Sequence, residues 1–95
     1  MQEQTNNTTT SVAIVDNRPA TLRDIFVKLG PRNSSVRRTV ARLAARGIMY
    51  TASAVYQVIQ GRVKNLVIAE EFLDVAEAEF LHRRKLEART QSLAV

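Results

Sequence analysis

Glycine occurs only three times in this chain, at Gly30, Gly47 and Gly61, and beyond Gly61 neither glycine nor proline recurs. Each glycine is free to turn left-handed and end a helix, and Pro31 after Gly30 cannot continue one. The segments between these breaks carry apolar residues at helical spacing. Leu22, Ile25, Phe26 and Leu29 stand at i, i+3, i+4 and i+7, while Val36, Val40, Leu43 and Ala44, then Val55, Val58 and Ile59, mark two further inner faces. From Leu66 nothing interrupts a helix before about Arg89, a length on the order of 35 Å. The expectation is an all-α fold of four helices over 21–29, 34–46, 51–60 and 66–89. Start signals agree: Thr21 with Asp24 resembles a capping box, and Asn33 or Ser34, Thr51 or Ser53, and Asn65 can cap the others.

Outside these helices the chain changes character. Residues 1–20 begin MQEQTNNTTT, too polar to build a core, and read as a flexible N-terminal arm with one apolar run, Val12-Ala13-Ile14-Val15. Residues 21–82 form the expected domain, and 83–95 a charged C-terminal tail. With no cysteine and a lone histidine, His82, neither a disulfide framework nor a metal site is expected. There is no secretory leader and no apolar stretch of membrane-spanning length, which points to a soluble, cytoplasmic protein. A Gly-rich phosphate loop and a nucleophile motif are both missing, so the chain does not read as an enzyme, and no cofactor or small-molecule ligand is implied.

Charge is what suggests a partner. The net charge of +5 is unevenly spread. Residues 21–65 hold nine cations against the single acid Asp24, whereas 66–95 hold four cations against six acids and 1–20 are slightly acidic. A surface made only to be soluble mixes both signs, so this segregation points to a polyanion. On the second helix Arg38, Arg42 and Arg46 recur every four residues with no carboxylate between them. Such a stripe repels itself by a few tenths of a kcal/mol per pair. It is expected to face outward and meet phosphates, together with Arg62, Lys64 and Asn65 after the third helix. The carboxylates of the fourth helix are expected opposite its apolar arc.

The third helix is different again. Ser53, Tyr56, Gln57 and Gln60 lie off its apolar face and carry no charge. Amides can pair with adenine edges in a major groove while neighbouring cations hold phosphates. From about Thr21 to Phe72 the chain resembles the Cro/phage-repressor class of helix-turn-helix domains. AVYQVIQGR looks like that family's recognition stretch and GRVKN (61–65) like its basic loop, although Gly47 stands farther from Val55 than is usual there. The resemblance implies a small bacterial or phage transcriptional regulator, nucleoid-associated, that reads double-stranded DNA. Base contacts would fall on Thr51, Ala52, Ser53, Tyr56, Gln57 and Gln60.

The apolar residues of the fourth helix cover about half its circumference, more than one docking contact needs. Leu66, Leu73 and Phe80 repeat every seven residues and share a face with Ala76, a seam suited to a homodimer. Phe80 is expected to lie beyond the subunit's own core. The alternative reading is a protein-interaction module, of antitoxin or adaptor type, that uses this apolar face. An RNA-binding helical protein is a third, disfavoured because the major groove of A-form RNA does not admit a helix.

Overall fold

Four helices, α1 (Leu22–Leu29), α2 (Ser35–Ala45), α3 (Ala52–Ile59) and α4 (Leu66–Ala94), make up this computed structural model, whose described residues are 19–94. No strand occurs among the described residues, and the Val12–Val15 run and the rest of the arm lie outside them. The architecture is all-α, as the spacing predicts.

Local chemistry sets the helix limits. The Thr21 side chain accepts from the Asp24 N–H at 3.2 Å and the Asp24 carboxylate accepts from the Thr21 N–H at 2.9 Å, which completes the capping box. Asn33 rather than Ser34 caps α2, its Oδ1 accepting from the Ser35 N–H at 3.1 Å, while Ser34 makes no side-chain cap bond. Thr51 caps α3 through the Ala54 N–H. Asn65 caps α4 through the Ile68 N–H at 3.1 Å. At the other ends, Gly47 and Gly61 adopt φ of 81° and 79°. Gly47 donates to the Ala44 carbonyl and Ile48 to Leu43, and Gly61 donates to Val58 and Arg62 to Gln57. Both ends are thus Schellman motifs, in which two otherwise orphaned carbonyls are satisfied by a left-handed residue and its successor.

The core is built on α4. Ile68, Phe72, Val75 and Ala76 form its buried stripe, against which Leu29 of α1, Val36 and Leu43 of α2, and Val55, Val58 and Ile59 of α3 are packed. Phe26 bridges this core to the surface, 6.5 Å from the Phe72 ring centroid and 5.9 Å from that of Tyr56, edge-on to the latter.

Three expectations about α4 are corrected. The helix does not stop near Arg89 but continues to Ala94. Arg83 belongs to the domain, because its guanidinium donates to the Leu29 carbonyl at 2.8 Å and to Glu79 at 2.9 Å, tying α4 to the end of α1. Ala76 is inside the subunit, and Phe80 packs against the same core with the Lys28 ammonium 5.4 Å from its ring centroid. Of the expected seam, only Leu66 and Leu73 are exposed. The helix register explains this: seven residues make slightly less than two turns, so Phe80 has rotated toward the buried side by the time it is reached.

A Cβ at Gly47 would meet nothing within 4 Å, so substitution there acts through backbone strain alone. Gly47→Ala is expected to lower stability by about 1–2 kcal/mol, and Gly47→Asn by less, since asparagine tolerates the left-handed region. Urea denaturation monitored by circular dichroism measures both. Equal midpoints for wild type and Gly47→Ala would show that the α2–α3 connection does not require the observed turn.

Candidate nucleic-acid interface

The arginine stripe of α2 does not stand free. Around α2, Ser35, Val36, Thr39 and Leu43 are the buried residues. Arg42 and Arg46 therefore lie beside the buried face, on the side toward α4, rather than opposite it. Arg42 Nε and Arg46 Nη1 each reach a different oxygen of Glu71 at 2.5 Å, and Arg38 reaches Glu79 at 3.3 Å. Glu71 is 4% exposed. The carboxylates expected opposite the apolar arc of α4 are thus divided. Glu71 and Glu79 flank the buried stripe and supply the neutralisation that α2 lacks in its own sequence, whereas Glu70, Asp74 and Glu77 face solvent.

Electrostatics follow from this geometry. The Arg42 guanidinium holds the Glu71 carboxyl below its ordinary value of 4.5, burial opposes this, and Arg46 adds to the lowering. Glu79 is lowered too, first by its hydrogen bond from Arg83, against burial, with smaller contributions from Arg38 and His82. The two buried hydroxyls of α2 are satisfied locally, Thr39 Oγ1 donating to the Ser35 carbonyl at 2.7 Å and Ser35 Oγ to Asn33 Oδ1.

A different set of cations lies on the α3 side. Arg37, Arg62 and Lys64 are exposed and have no ion-pair partner among the described residues. Arg37 went unremarked in the sequence, where Arg38, Arg42 and Arg46 form the more regular pattern. Its signal was angular: it is 100° from Arg38, on the flank of α2 that Val36 and Val40 turn toward α3. With Asn33, Ser34, Ala52 and Tyr56 it lines a groove of about 370 Å³ between the start of α2 and the first turns of α3.

Between these cations α3 presents its uncharged side. Ala52, Ser53, Tyr56 and Gln60 are exposed, Tyr56 at 42%, and Gln57 is half-buried. Thr51 is exposed but its hydroxyl accepts from the Ala54 N–H, so it acts first as a cap. Asn65, expected at a phosphate, has both ends of its side chain engaged within the protein: Oδ1 on the Ile68 N–H and Nδ2 donating to the Tyr50 hydroxyl at 3.0 Å. No acidic side chain is present on α3 or on the connection 60–65.

The described residues hold no group of histidines, cysteines or carboxylates arranged to bind a metal ion, and no helix among them is long and apolar enough to cross a membrane. Compared with protein-family models, curated proteins and solved structures, the chain matches none.

The Glu71 triad makes a pH-dependent contribution whose sign is set by the lowered value. Above 4.5 the carboxylate is ionised in both folded and unfolded chains and the stabilisation is complete. It is lost as pH falls through the depressed folded value. Glu71→Gln is therefore expected to lower stability at neutral pH by about 1.5–3 kcal/mol. The gap between wild type and variant should then close progressively in acid. Thermal unfolding of both proteins across pH checks this, and a gap independent of pH would remove ionisation from the account.

Proposed function

We propose that the chain is a sequence-specific double-stranded DNA-binding protein, a transcriptional regulator of the Cro/repressor-like helix-turn-helix kind. In this reading α2 and α3 are the two helices of the motif, with α3 in the major groove. The observation that carries it is the arrangement around α3: an uncharged, amide-bearing face bounded by the unpaired cations Arg37, Arg62 and Lys64, with the acids of α4 held elsewhere. Ser53, Tyr56, Gln57 and Gln60 are the base-reading side chains. Arg37, Arg62 and Lys64 are the principal phosphate contacts. Arg38, Arg42 and Arg46 serve first to bind α4, a role that replaces the phosphate contacts expected from their spacing.

A single such domain reads only a few base pairs, and pairing two of them places reading helices about one DNA turn apart. The proposed partner is a second copy of the chain, bound through the outer face of α4. Leu73 and Leu81 are both exposed there, and past Arg83 the helix runs on for about 16 Å without a hydrogen bond to α1, α2 or α3.

A gel-shift comparison of duplex DNA, duplex RNA and single strands decides the class of partner. Preference for duplex DNA is expected, and absence of any complex would transfer the function to the apolar face of α4 as a protein-interaction module. Affinity should fall with salt by roughly 0.9 log unit per log unit of salt for each phosphate contacted. Three contacts per subunit, doubled in the bound dimer, then give a slope near −5, against about −11 if the whole α2 stripe also took part.

Arg37→Ala should weaken all duplexes alike and shallow that slope by about one unit per subunit. Gln57→Ala should cost about 1–3 kcal/mol on a preferred site and little on scrambled DNA. Equal losses on both DNAs for Gln57→Ala would move the reading face elsewhere. For assembly, sedimentation of Leu73→Glu/Leu81→Glu beside wild type is the check. A dimer that dissociates in the double variant is expected, and a variant that still dimerises would exclude this face.

A further inference from the structure

An apolar groove beside the core is open to solvent and includes Thr21, where the N-terminal arm joins the domain. It measures about 420 Å³ and runs between the first turn of α1, the end of α3 and the start of α4. Leu22, Val58, Ile59 and Ala69 form its floor. Its walls are Val63, 50% exposed, and Leu66, 80% exposed, two aliphatic side chains that gain nothing from water. The charged residues that line it, Arg23 and Lys64, are both cationic.

The arm has complementary features. Val12-Ala13-Ile14-Val15 is the only apolar run before Thr21, and Asp16 follows it directly. From Val15 to Thr21, itself on the groove wall, is a span of at most about 20 Å, enough to reach the groove. Covering the Val63 and Leu66 side chains would contribute at about 25 cal/mol per Å² removed from water.

We propose that Val12–Val15 of the same chain packs into this groove, with Asp16 against Arg23. The groove is then an intramolecular docking site for the arm, and its occupancy orders the 61–65 connection that bears Arg62 and Lys64. The inference stands apart from DNA binding and is tested without nucleic acid.

The chain has no tryptophan, so a single introduced indole reports on its own surroundings. Ile14→Trp should emit to the blue of a Thr8→Trp control and be quenched by acrylamide several-fold less. Adding Val63→Glu, a change at an exposed position outside the core, should return it to the behaviour of the control. The shift should not change over roughly a hundredfold dilution, since an intramolecular contact has no concentration dependence. As a second readout in case the indole is too large for the groove, Ile14→Glu should speed amide exchange at 62–65 several-fold relative to wild type. An Ile14→Trp indole as accessible as the control, together with unchanged exchange in Ile14→Glu, overturns the proposal. Insensitivity to Val63→Glu places the arm elsewhere and overturns it too. A blue shift that fades on dilution assigns the groove to the arm of a second copy instead.

Discussion

Glu71 is the residue on which the arrangement of this domain depends. A carboxylate taken almost wholly out of water is costly unless its charge is met at close range. Here Arg42 and Arg46 meet both of its oxygens from one helix turn apart. The dependence is mutual. Taken alone, α2 is a helix with three arginines, a fourth at its C-cap and no acid, and its stripe is self-repelling. Docked on α4 its charges are met by Glu71 and Glu79, beside the buried cluster that holds Leu43, Phe72 and Ile68. The ion triad fixes α2 in register along α4, since a shift by one residue would turn the carboxylate away from both guanidiniums.

That register decides what the rest of α2 presents. With Arg42 and Arg46 turned to α4, the opposite flank faces α3 and brings Arg37 to the edge of its exposed surface. The Schellman turn at Gly47 and the Asn65 side chain then constrain α3 from both ends. Asn65 caps α4 and at the same time holds the Tyr50 hydroxyl, so the connection before α3 and the helix after it are tied by one amide. Phe26 braces Tyr56 edge-on from behind. The uncharged face is thereby held by rigid elements on every side, the condition under which a helix can discriminate among ligands rather than adapt to them.

Charge segregation in this protein has two levels. Along the chain, cations gather in 21–65 and acids in α4. In space, Arg38, Arg42 and Arg46 are drawn into pairs with α4, and Arg37, Arg62 and Lys64 are left around α3 and the 61–65 connection. Counting charges along the chain overstates the number available to a polyanion and misplaces them, because it cannot subtract the pairs formed across the core.

Helix number, limits and caps were legible in the sequence because they rest on interactions within four residues: the Thr21–Asp24 box, the glycines at 47 and 61, and the apolar spacing of α1 and α3. The exposed, uncharged side of α3 was legible for the same reason, since one helix's periodicity defines both of its faces. What the tertiary structure alone decided lies where two helices had to choose a mutual register. Glu71 finds Arg42 and Arg46 across 29 and 25 residues, and nothing local distinguishes it from Glu70, which faces solvent. The apolar arc of α4 was broad enough to admit two assignments. Packing resolved it by burying Ala76 and drawing Phe80 back under Lys28, which left Leu66 and Leu73 outside. The physical reason is that side-chain burial is a property of a pair of surfaces, and a single strand of sequence carries only one of them.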